Sequence, residues 1–157
     1  MIHEIKGNLL DTDCHFICHQ VNCQGKMNSG VAKAIRDKWP TVYTSYMGRY
    51  NYYHSHDREQ DLHGKVQFIP VADNKTVVNM FAQLFYGYDG RRYTSYDAFW
   101  SCLGKIKEIV PKGSSIAFPG RIGCVRGGAN WDVIKNMIEV VLSKDYEVFI
   151  YYLEETK

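Results

Sequence analysis

Apolar and polar positions in this chain alternate in short runs, then recur every three or four residues, and the two patterns take turns along its length. Ile2 to Ile5 alternates and meets Gly7-Asn8, predicting a short half-buried strand closed by a turn. Cys14 to Val21 is a predominantly apolar run that predicts a buried strand. Gly30 to Lys38 has helical spacing through Val31, Ala34, Ile35 and Trp39, and Pro40 stops it. Val42, Tyr46 and Tyr50 predict a second helix over 41–53, and the polar 55–61 stretch predicts a surface loop. Strands are predicted over 65–70 and 76–82, around a turn at Asp73-Asn74. Thr94 or Ser95 offers an N-cap for a helix from Tyr96 to about Val110, carrying Phe99, Leu103 and Ile106 on one stripe. A short strand over 115–118, an amphipathic helix over 131–142 and a strong strand over 147–153 complete the pattern. Strands alternating with helices predict an α/β layered domain on a mixed sheet.

Two segments interrupt this pattern in the same way. Asn22 to Gly30 and Gly120 to Gly128 each follow a buried strand, are rich in small residues, and lead into a helix. Free backbone N–H groups and the helix dipole favour an anion at such a junction, and glycine lets the backbone approach it closely. Ligands of open α/β sheets bind beyond the carboxyl ends of the strands, so two such loops side by side suit a diphosphate. The alternative is that the glycines serve tight turns alone. Neither loop has nucleotide-fingerprint spacing: GxxxxGK[ST] is absent, and the second loop lacks GxGxxG, which disfavours Walker-type NTPases and hydride transfer.

Composition narrows the reading further. A chain of 157 residues with 45% hydrophobic content suits one domain with its own core, 1–157. A net charge of +2 gives no footing for attraction to a membrane or to bare nucleic acid, so Arg91, Arg92 and Lys105 read as a solvated face. Five cysteines, with no CxxC, read as reduced thiols, and His54, His56 and His63 lack a matching Cys cluster, so no metal is expected. No signal peptide or long apolar run is present, which points to the cytoplasm. The segment 85–92, with Tyr, Gly and Arg, reads as a lid over the ligand.

Lys6-Gly7-Asn8-Leu9, HQVNCQG over 19–25, the Gly30-Val31-Ala32 helix start, VNMFAQ over 78–83, and FPGRIGC over 118–124 with Trp131 beyond it together resemble the macrodomain family, from residue 3 to residue 153. The likeness is to its compact branch, which processes ADP-ribose 1″-phosphate or hydrolyses ADP-ribosyl esters. It implies a three-layer α/β/α fold with a central mixed β-sheet. It implies that Asn8 meets the adenine amino group, where an aspartate is common, that Leu9 packs beside the base, and that Tyr151 stacks on it or else serves the core. Gly30, Val31 and Ala32 would hold the diphosphate from one side, and Ile122, Gly123, Cys124, Val125 and Arg126 from the other. Asn22 would reach the distal ribose.

For catalysis the likeness implies His19 with Asn22: a histidine near neutral pKa serves as general acid or base in phosphomonoester hydrolysis, or is a hydrogen-bonded strand-end residue. A related hydrolytic branch uses a lysine where this chain has Gln83, and an acid where it has Gly127. Neither residue can replace those groups. The expectation is a monomer that takes ADP-ribose or an ADP-ribosylated substrate, needs no cofactor, and meets nucleic acid only where that carries ADP-ribose. The rival expectation is a non-catalytic reader of ADP-ribose.

Overall fold

The first alternating run becomes an edge strand, β1 (Ile2–Lys6), in the computed structural model, which describes residues 2–85, 87 and 91–153. The run feeding the first loop forms β2 (Phe16–Asn22), two residues later than expected, because the Thr12 hydroxyl accepts from the Cys14 N–H and keeps that residue in a turn. The helical runs form α1 (Gly30–Lys38) and α2 (Pro40–Ser55), with Pro40 in the first turn of α2, where its missing N–H has no cost. The polar 55–61 stretch lies at the surface, as expected, with no buried residue. It runs into a 3₁₀ turn, Glu59–Leu62, whose Leu62, one residue past the stretch, is fully buried.

Next come β3 (Val66–Ala72) and β4 (Lys75–Gln83), then α3 (Tyr96–Ile109), β5 (Ser115–Pro119), α4 (Trp131–Leu142) and β6 (Glu147–Tyr152). Ser95, not Thr94, caps α3, and Asn130 caps α4, with Asp132 in the first turn.

The six strands pair in the order β1-β6-β5-β2-β4-β3, all parallel except the β3–β4 pair. This is the mixed sheet that was expected. Pro70 is tolerated because β3 is an edge strand. One face buries Cys18, Val78, Ile116 and Val148 against Phe99 and Leu103 of α3 and Ile134 and Ile138 of α4. The other buries Ile17, Val21, Val77 and Phe81 against Ile35 of α1 and Val42 and Tyr46 of α2. The result is three layers with β2 at the centre. At its carboxyl end the β2–β4 register slips, so that Val21 faces Phe81 while Asn22 faces Gln83. A slip of this kind re-aims side chains where the ladder ends.

Candidate functional site

The two glycine-containing loops close on one cleft of about 530 Å³ above the carboxyl ends of β2, β5 and β6. Every residue singled out in the sequence lines it: Asn8 and Leu9, His19 and Asn22, Gly30 to Ala32, Gln83, Ile122 to Arg126, and Tyr151. Among the described residues Lys26, Arg121 and Arg126 bring positive charge to the lining, and no aspartate or glutamate lines it. An anionic ligand fits that balance.

Helix α1 opens on this cleft without a cap of its own. The first helical bond is Lys33 N–H to Ser29 C=O, and the Ser29 side chain makes no capping bond. The N–H groups of Gly30, Val31 and Ala32 therefore lack helical partners. Helices α3 and α4 are capped by Ser95 and Asn130, which do not line the cleft. Gly30 sits at φ +61°, a left-handed conformation that glycine adopts without strain.

The side chain of Asn22 is held within its own loop. Its Oδ1 accepts from the N–H of Gln24 at 3.0 Å and of Lys26 at 3.3 Å, and its Nδ2 donates to the Lys26 carbonyl at 3.0 Å. The buried Tyr46 hydroxyl lies 2.8 Å from both oxygens of Asn22 and accepts from the N–H of Gly25 and Lys26. Asn22 is thus first a loop-forming residue, with one amide hydrogen left for a ligand. Lys26, which it positions, is exposed and has no side-chain partner among the described residues.

Gln83 is tied down as well. It accepts from Gln20 Nε2 at 2.7 Å and donates to the Phe85 carbonyl at 2.7 Å. Gln20 also donates to Thr94, whose hydroxyl donates to the Gly123 carbonyl at 2.7 Å. This network locks the second loop to the sheet. Gly127 lies against it: a Cβ there would stand 2.1 Å from Thr94 Oγ1 and 2.4 Å from the Gly123 oxygen. No side chain fits at that position without displacing both.

His19 is buried on β2, and its Nε2 meets Asn79 Oδ1. Burial pulls its pKa down from 6.5 to about 4, only partly offset by Asn79, so the ring is neutral at physiological pH. That removes the general-acid role expected for an imidazolium. Cys124, half-buried, is pushed up to about 11 by burial and stays a thiol rather than a nucleophile. The oxygen of Asn8, also in the cleft lining, caps the short turn at Leu9–Asp11 by accepting from Leu10 N–H at 2.9 Å and keeps room for one further donor. Tyr151 accepts from the Thr12 hydroxyl at 2.8 Å and is half-buried.

Of the lid expected over 85–92, residues 86 and 88–90 lie outside the described set. Sequence reasoning gave Gln20, Lys26, Tyr46 and Thr94 no role at the site. Only the apolar-to-polar switch at Gln20, inside a buried strand, carried a signal. Among the described residues no helix is long and apolar enough to cross a membrane, and no metal-binding group of His, Cys, Asp or Glu is formed.

No family model matches this sequence. Among curated proteins it is similar to a DNA ADP-ribosyl glycohydrolase of Thermus aquaticus, 25% identical over 96% of this chain and 41% of that protein. It is also similar to an ADP-ribose 1″-phosphate phosphatase of Aspergillus oryzae, 41% identical over 56 residues, 35% of this chain and 24% of that protein. The chain thus spans less than half the length of the curated relatives it matches. Among solved structures it is similar to a protein of unknown function from Bacteroides thetaiotaomicron, 28% identical over 98% of both chains, with a TM-score of 0.83. It superposes on the macrodomain of Mycobacterium tuberculosis DarG with a TM-score of 0.78, at 20% identity over 96% of this chain and 97% of that one.

Proposed function

From the premise that this chain has the macrodomain fold, we propose that it binds ADP-ribose in the cleft and hydrolyses a group from the distal ribose, a 1″-phosphate or an ADP-ribosyl ester. The observation that carries the proposal is the uncapped start of α1, whose N–H groups at Gly30, Val31 and Ala32 face a cleft bearing three cationic side chains and no described carboxylate. In this reading the diphosphate sits between α1 and the 120–127 loop, adenine lies at Asn8, Leu9 and Tyr151, and the distal ribose reaches His19 and Asn22. The whole chain acts as one domain and as a monomer, without a cofactor. Five free cysteines suit the reducing cytoplasm.

Calorimetric titration with ADP-ribose, with AMP and NAD as controls, tests the binding half. Micromolar affinity for ADP-ribose and much weaker affinity for AMP are expected, and absence of heat with all three would overturn it. Phosphate release from ADP-ribose 1″-phosphate, compared between wild type and His19→Ala, tests the catalytic half.

A second reading, a non-catalytic ADP-ribose reader, draws support from the cleft's lack of a described carboxylate and from the bonded amide of Gln83. Turnover above background with either substrate class would remove it.

A further inference from the structure

The buried histidine of the cleft stands at the end of a one-way chain of hydrogen bonds across the sheet. His19, Asn79 and Gln67 are register partners on β2, β4 and β3, all buried, and Gln67 reaches α2. Gln67 Nε2 donates to the Ser45 carbonyl at 2.9 Å, Asn79 Nδ2 donates to Gln67 Oε1 at 3.1 Å, and Asn79 Oδ1 faces His19 Nε2. A backbone carbonyl can only accept, and this fixes each amide in turn. Gln67 must present its nitrogen to Ser45 and its oxygen to Asn79. Asn79 must therefore present its oxygen to His19. The Nε2 of His19 carries the proton, and Nδ1 is bare.

That bare nitrogen is buried and has no hydrogen-bond partner, in a residue that lines the cleft. A buried acceptor left unmet is unfavourable, and a donor that reaches it gains the whole of that deficit.

We propose that His19 serves the bound ligand as a hydrogen-bond acceptor through Nδ1, receiving a hydroxyl hydrogen of the distal ribose, with its tautomer set from across the sheet by Asn79 and Gln67. The ligand contact rests on the ADP-ribose reading above, whereas the tautomer does not. Asn79 and Gln67 are positioning residues that never touch the ligand. His19 then holds a ligand hydroxyl in place rather than delivering a proton to a leaving group. AMP lacks the distal ribose, and with its base seated at Asn8, Leu9 and Tyr151 it brings no hydroxyl to Nδ1, so the contact distinguishes ADP-ribose from AMP.

Long-range ¹H–¹⁵N correlation spectra of the uniformly labelled full chain test this at neutral pH, with His19 assigned by the resonances missing from His19→Gln. In the free protein the pattern of a protonated Nε2 and a bare Nδ1 is expected. Gln67→Leu, which frees the Asn79 amide to turn over, is expected to convert this to a mixture of tautomers. Saturation with ADP-ribose, monitored independently at the Val31 and Ala32 amides, is expected to move Nδ1 upfield, and saturation with AMP is not. A protonated Nδ1 in the free wild type overturns the relay, whether or not the variant folds. Shifted Val31 and Ala32 amides with an unmoved Nδ1 overturn the ligand contact and leave the proposed function standing. Unmoved amides overturn both of those, and the tautomer is then still decided by the free protein.

Discussion

The hydroxyl of Tyr46 and the side chain of Asn22 lie 2.8 Å apart, and between them they hold the N–H groups of Gln24, Gly25 and Lys26. A core residue of α2 thus shapes the first of the two cleft loops. Burial pushes the Tyr46 phenol pKa well above its usual value, so it acts as a neutral donor and acceptor. Tyr46→Phe leaves the buried Gly25 N–H without its acceptor and the Lys26 N–H with Asn22 Oδ1 alone, at a cost of roughly 1–3 kcal/mol. Lower urea midpoints and weaker ADP-ribose binding are expected together. Full stability with unchanged affinity would show that the loop holds its shape without Tyr46.

The macrodomain resemblance aligns Gly127 with an acid that a hydrolytic branch carries, and the surroundings of Gly127 explain why introducing one should fail. With Thr94 Oγ1 and the Gly123 carbonyl already in the space of a Cβ, Gly127→Ala should destabilise the protein by about 1–3 kcal/mol through overpacking. Gly127→Asp adds the burden of a charge at a buried position, and is expected to lose more stability and to loosen the second loop. Thermal unfolding of both variants beside a turnover assay checks this. A stable Gly127→Asp protein with raised ester hydrolysis would mean that the loop adapts.

Tyr151 separates two roles by its variants. If the ring stacks on adenine, Tyr151→Ala should weaken ADP-ribose and AMP alike by about 3- to 10-fold, the scale of an aromatic contact worth roughly 0.5–1.5 kcal/mol. Tyr151→Phe keeps the ring and loses only the bond from Thr12, so its affinity should stay near wild type. Equal AMP affinity in wild type and Tyr151→Ala, with lowered stability, would assign Tyr151 to the core.

Much of this arrangement was legible in the chain, and what was not has a physical reason. Alternation and helical spacing located α1 and α4 to the residue, because Gly30, Pro40, Trp131 and the residues around them break the pattern sharply. The mixed sheet followed from strands alternating with helices and the two cleft loops from their shared pattern, whereas Asn8, Leu9, His19, Gln83 and Tyr151 came from the macrodomain resemblance. Three features stayed hidden because they depend on which side chains meet across the sheet. The role of Gln83 depends on Gln20 and Thr94, which lie 63 residues before it and beyond residues 85–92, respectively. The sequence left His19 open between an acid–base group and a hydrogen-bonded strand-end residue, and the structure shows it buried and bonded to Asn79. Its burial, which only the packing of α1 and α2 over β2 reveals, sets its charge. Likewise nothing local to Tyr46 points its hydroxyl at Asn22.

The depressed pKa of His19 makes stability depend on pH in a defined direction. In the unfolded chain His19 takes up a proton near pH 6.5, whereas in the folded protein it does so near pH 4. Between those values the unfolded state binds more protons, so stability falls as pH falls through this window and changes no further from this source below about pH 4. The full effect is roughly 3 kcal/mol, from the distance between pH 6.5 and about pH 4 at about 1.36 kcal/mol per tenfold change. His63, also lowered by burial, adds a slope of the same sign, so the decisive quantity is the difference between wild type and His19→Gln. Urea unfolding at pH 7.5 and pH 4.5 is expected to show a smaller loss in the variant than in wild type. Above pH 7 the two should run parallel, since His19 is then neutral in both states. Parallel curves across the whole range would mean that His19 keeps its ordinary pKa in the folded protein, and general acid–base chemistry at neutral pH would return to consideration.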